Sequence, residues 1–160
     1  MHALSLLASQ LGNTLKKHQW QIVTAESCTG GGLAYWLTTT PGSSAWFDRG
    51  FVTYSNAAKI EQLAVDIQII EKYGAISAET AREMAEGALT HSHAQLSCAI
   101  TGIAGPDGGT AQKPVGTVWF AWAGTSLPTQ TCLKVFTGDR TAIRHQAIAF
   151  ALEYSASLIF

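Results

Sequence analysis

The chain has 160 residues, of which 47% are apolar and 13% charged, and its formal net charge is −1. Such a chain forms one globular domain, expected over residues 1–160, with a real core, and disorder is excluded. The balanced charge argues against a nucleic-acid footprint, and no apolar run reaches the ~18 residues of a membrane span.

The start, Met1 to Ser5, lacks the basic region of a secretory leader. Cys28, Cys98 and Cys132 are odd in number and far apart, so no disulfide framework or zinc ribbon is expected, and a cytoplasmic location is. The sparse charge, with Trp20, Trp36, Trp46 and several phenylalanines, favours a homodimer or higher homo-oligomer, with core positions for these side chains as the alternative.

Leu4, Leu7, Ala8, Leu11 and Leu15 recur at helical spacing and predict a first amphipathic helix, with Lys16 and Lys17 suited to its C-terminal end. Ile22 to Glu26 reads as a strand. Ser27, Cys28, Thr29 and the glycines Gly30, Gly31 and Gly32 form a tight loop, and Leu33 to Leu37 opens a helix. A strand-to-helix turn of this kind exposes free N–H groups and the positive end of a helix dipole.

Thr38 to Gly42 is a breaker cluster, followed by a turn or short helix over Ser43 to Asp48. Arg49 to Tyr54 predicts a strand. Ser55 or Asn56 then caps a helix whose first turn holds Lys59, a cation that the dipole disfavours there. Ile67 to Tyr73 fits helix or strand. Ser77 caps the next helix, whose buried stripe is Ala81, Met84, Ala85, Ala88 and Leu89.

Leu96 to Thr101 is nearly uncharged and predicts a central strand. A Gly/Pro loop, Gly102 to Thr110, follows it. Val115 to Ala123 and Thr131 to Phe136 read as a hairpin, and Thr141 to Leu158 as a last helix with Ile143, Ala147, Phe150, Ala151, Tyr154 and Leu158 inward. Helices alternating with strands, then a late hairpin, predict a three-layer α/β/α sandwich with a mixed, mostly parallel sheet.

The turn offers two nucleophiles. Ser27 suits one if exposed beside N–H donors, although the sequence lacks G-x-S-x-G and, with no G-K-[ST], is not a Walker loop. Ser27 or Thr29 serves equally well as a helix cap. Cys28 gains from a helix N-terminus but reads better as a small buried hydrophobe.

Among bases, His2, His18 and His145 lie on or beside terminal helices, and His91 and His93 lack carboxylate partners for a metal site. Lys59 is the stronger candidate, since desolvation brings a lysine toward the useful range near 7–8. A surface lysine is the alternative. Tyr54, five residues earlier, is expected to bring its hydroxyl into the same crevice or to fill the core. Thr101 and Gly102 are candidate oxyanion donors or turn residues. Asp107 and Asp139 read as turn formers, and Arg140 as an anion contact or a surface residue.

Taken in order, these segments resemble one family. They are Thr24 to Gly31, Pro41 to Phe47 with Arg49 to Asn56 and Lys59, Tyr73 to Ser77, Thr101 to Gly109, Lys113 to Val118, and Gly138-Asp139-Arg140. The family is the C-terminal domain of CinA with its stand-alone relatives, the nicotinamide-nucleotide amidases. The resemblance implies hydrolysis of the carboxamide of nicotinamide mononucleotide, without metal or cofactor. It implies Ser27 as nucleophile, Lys59 as base and Tyr54 as assistant. It also implies Thr101, Gly102, Thr29, Gly30, Gly31 and Arg140 as oxyanion or substrate contacts. A non-catalytic nucleotide-binding module with the same loops is the competing expectation.

Overall fold

The computed structural model describes residues 2–160; Met1 and the side chain of His2, on which the readings of the leader and of the histidines draw, lie outside it. Five strands, β1 (Ile22–Glu26), β2 (Phe47–Val52), β3 (Leu96–Gly102), β4 (Thr117–Gly124) and β5 (Leu127–Val135), form one sheet in the order β2-β1-β3-β4-β5. β1 pairs in parallel with β2 and β3, whereas β3–β4 and β4–β5 are antiparallel. Four strands therefore point one way, and β4 alone runs against them.

The helices are α1 (His2–Lys17), α2 (Gly32–Leu37), α3 (Asn56–Leu63), α4 (Ile67–Tyr73), α5 (Ala78–Thr90) and α6 (Arg140–Ser157). They form a layer on each face. Ile22, Leu96, Cys98, Ile100, Val118, Phe120 and Trp122 pack against α1, α2 and α6. The alternate positions Val23, Ala25, Ala99, Ala121 and Ala123 pack against α3, α4 and α5. Period-two alternation separates the two cores, and the small residues on the second face let α5 lie close to the sheet.

The close packing continues between helices. A Cβ on Gly87 of α5 would lie 2.0 Å from the Leu63 carbonyl oxygen at the end of α3. Glycine there lets the two helices touch and so fixes the height of α3 over the sheet.

Several local expectations are corrected. β2 begins at Phe47, two residues before the expected strand, and Thr53 and Tyr54 lie beyond its end. Ile67–Tyr73 is helical: Asp66 caps it by accepting from Gln68 N, and Gly74 ends it. In α6, Ile148 and Leu152 are fully buried, while Phe150 and Tyr154 stay partly exposed around Trp122. Trp36 and Trp46 belong to the core and Trp20 packs against it, so these side chains are accounted for within one chain.

Gly87→Ala should lower stability by about 1–3 kcal/mol through overpacking against the Leu63 backbone, read as a reduced urea midpoint.

Candidate active site

The connection from β1 through α2 reaches β2 on one side; the return through α3, α4 and α5 reaches β3 on the other. A switch of this kind opens a crevice beyond the carboxyl ends of the two strands. Ser27 follows β1 directly and Gly102 ends β3.

Strand alternation sorts the residues at the end of β1. Ala25 faces the α3 layer, and Ser27, two residues on, takes the same side. Glu26 faces α2. The Glu26 carboxylate is fully buried and accepts from Thr29 Oγ1, from Leu33 N at 2.8 Å and from Ala34 N at 3.0 Å. The residue at the N-cap position, Gly31, contributes no side chain, so Glu26 caps α2 from the preceding strand. Thr29, expected as a cap, instead donates to that carboxylate. Gly30 and Gly31 carry the turn at φ of 59° and 99°, the left-handed region.

Ser27 meets Lys59. The Lys59 side chain is 1% exposed, and its Nζ lies 3.1 Å from Ser27 Oγ, 2.8 Å from Thr53 O and 3.1 Å from Tyr54 O. These three acceptors match the three donors of an ammonium, and all are neutral. Ser55 caps α3 by accepting from Ala58 N, which sets the helix start that delivers Lys59. Burial pushes the Lys59 pKa down from 10.5 to about 8.

The same burial acts in the opposite sense on the rival nucleophile. The Cys28 thiol is pushed up to about 12, chiefly by desolvation, and stays protonated.

The other expected residues separate. Tyr54 reaches Ser27 and Lys59 through its main-chain carbonyl, not its hydroxyl. Its ring is exposed, and the hydroxyl accepts from Arg140 Nη2 at 3.2 Å. Arg140 Nη1 donates to Gly105 O at 2.7 Å, tying the Gly/Pro loop to the same rim. Thr101 is buried and its hydroxyl donates to Ala75 O at 2.8 Å, so that group is committed away from an oxyanion.

Gly102 differs. Ile103 N donates to Thr117 O and Gly102 pairs with Val118, which makes Gly102 a non-hydrogen-bonded position toward β4. Its N–H therefore faces the β1 side, beyond the point where β1 has ended. Among the described residues the N–H groups of Cys28 and Thr29 take no acceptor on another residue.

Two side chains that sequence reasoning did not weigh also touch the turn. One is Glu26, noted only as the end of an apolar run. The other is Arg144, one helical turn beyond Arg140, whose Nη2 donates to Thr29 O at 3.2 Å. The i, i+4 spacing of two arginines was the available signal.

The ordered loops around this crevice coincide with a known domain: the sequence profile of the CinA C-terminal domain matches residues 4–159. The chain belongs to the CinA C-terminal domain family. Relatives extend along its length. It is 51% identical to the nicotinamide-nucleotide amidohydrolase PncC of Enterobacter agglomerans, over 96% of this chain and 92% of that protein. To the protein of the same description from Escherichia coli K12 it is 49% identical, over 94% and 91%. Among solved structures, the competence/damage inducible protein CihA of Agrobacterium tumefaciens superposes with a TM-score of 0.94 at 41% identity, over 98% of this chain and 95% of that one. The CinA fold thus supplies the mixed sheet and its crevice.

Glu26→Gln keeps the shape but turns one acceptor into a donor facing backbone N–H groups. It should cost about 1–3 kcal/mol of stability, measured by chemical denaturation, with Ala34 and Leu33 amides exchanging faster.

Proposed function

We propose that this chain is a nicotinamide-nucleotide amidase that hydrolyses nicotinamide mononucleotide to nicotinate mononucleotide and ammonia through a Ser27–Lys59 pair. The observation that carries the reading is the 3.1 Å contact between the buried Lys59 Nζ and Ser27 Oγ. The description of the E. agglomerans and E. coli relatives, at 51% and 49% identity, supplies the substrate.

The geometry supports a base. In the neutral amine, two N–H bonds donate to Thr53 O and Tyr54 O, and the lone pair is left toward Ser27. Lys59 takes the Ser27 proton as Oγ bonds to the amide carbon. The carbonyl oxygen gains the negative charge, which the N–H groups of Cys28 and Gly102 stabilise. The Lys59 ammonium then protonates the amide nitrogen, the C–N bond breaks and ammonia leaves. Water loses a proton to Lys59, attacks the acyl carbon and releases the acid, and the proton returns to Ser27 Oγ.

Arg140, a cation held by two neutral oxygens, is free to attract the anionic part of a nucleotide. In this reading Thr101 and Thr29 act as framework, and Tyr54 contributes a carbonyl to the base and a hydroxyl to the arginine. Exposed Tyr35, Val52 and Tyr54 beside the edge strand β2 support self-association on that side.

Ammonia release from nicotinamide mononucleotide tests the reading. Wild type should turn over, Ser27→Ala should not, and Lys59→Met should lose about 10²–10⁴ in rate. A wild type that binds the nucleotide without releasing ammonia would sink the proposal.

The pH dependence has a definite sign. The neutral amine is the active form, so kcat/KM should climb with pH through an apparent pKa of about 8. A flat profile from about pH 6 to about pH 9 rules out Lys59 as the base.

A further inference from the structure

Arg144 is the cation on α6 that the proposed chemistry leaves unused. Its Nη2 donates to Thr29 O at 3.2 Å, and its Nε is buried with no partner among the described residues. The ion pair found among the described residues, Arg49–Asp48, does not involve it, so no carboxylate neutralises it by contact. The guanidinium lies close over the turn: a Cβ on Gly30 would be 3.2 Å from Arg144 Nη2.

The acceptor of that bond belongs to a peptide with a second bond. The Thr29 carbonyl and the Gly30 N–H are one peptide group, and Gly30 N donates to Ser27 O at 3.0 Å. The Ser27 carbonyl and the Cys28 N–H are the next group, and among the described residues that N–H takes no acceptor on another residue. A guanidinium therefore heads a chain of two peptides that ends on the N–H directly after the proposed nucleophile. Chained hydrogen bonds polarise one another, and a charged donor at the head strengthens the effect.

We propose that Arg144 is a positioning residue that polarises the Cys28 N–H through the Thr29–Gly30 and Ser27–Cys28 peptides, making it a stronger oxyanion donor. This rests on the amidase reading for its catalytic consequence, but not for the polarisation itself. The effect is realised as charge develops in the transition state, so it acts on kcat and leaves KM unchanged.

The test compares Arg144→Gln, which removes the charge, with Arg144→Lys, which keeps it. Glutamine should lower kcat roughly tenfold, short of the 10²–10³ lost with a whole donor, with KM and melting temperature near wild type; lysine should restore most of it. In amide NMR spectra, the Gly30 and Cys28 protons should move upfield in the glutamine variant and much less in the lysine variant.

Wild-type kcat and unmoved amide resonances in Arg144→Gln overturn the proposal, as do equal losses in both variants. If the wild type releases no ammonia, the amidase reading fails and the amide shifts decide this one alone. If Arg144→Gln does not fold, wild type decides through the scalar coupling across Gly30 N–H to Ser27 C=O: its presence supports the chain and its absence overturns it.

Discussion

The ending of β1 governs the site. A strand sends successive side chains to opposite faces, and at residues 26 and 27 that rule parts a carboxylate from a hydroxyl. Glu26 turns to α2 and accepts its first free N–H groups, which fixes the helix that follows the glycine turn. Ser27 turns to α3 and meets Lys59. One helix is capped and the proposed nucleophile is brought to Lys59 by the same step in the chain. A one-residue slip of β1 would exchange the two side chains and lose both functions.

Desolvation acts on Cys28 and Lys59 in one direction, toward the neutral form. A thiol made neutral is inert, so Cys28 drops out although it lies next to Ser27. An amine made neutral has a lone pair, which is what the proposed role of Lys59 as base requires. Among the described residues no acidic partner is bonded to Lys59, and a bonded carboxylate would hold it protonated. The two carbonyls that bind it satisfy its N–H groups at little electrostatic gain for the charged form. Arg140 binds neutral oxygens of Tyr54 and of the Gly/Pro loop at the rim, and Arg144 binds the Thr29 carbonyl.

Much of this was legible in the chain. Helical spacing gave α1 and α5, Ser55 and Ser77 marked two helix starts, and a long uncharged run placed β3 in the centre of the sheet. Ile67–Tyr73 was ambiguous because a short apolar run fits either period, and the Asp66 cap with Gly74 decides it as helix. Trp36 and Trp46 suggested a subunit interface because composition counts apolar side chains without saying which face they take. The fold buries both in the core, Trp46 against Gly12 of α1 and with its indole N–H donating to the Leu37 carbonyl.

By itself, the sequence determined the layered α/β architecture and the glycine turn after β1, and it offered Ser27 and Lys59 as candidates that the family resemblance then singled out as a pair. The architecture and the turn follow from periodicity and turn chemistry, which are local. Tertiary structure alone decided what each polar group touches. It gave the Tyr54 carbonyl to Lys59 and its hydroxyl to Arg140, committed Thr101 to Ala75, and brought Arg144 to Thr29 across 115 residues. Hydrogen bonds act over about 3 Å, and only the folded sheet brings residues so far apart in the chain within that reach.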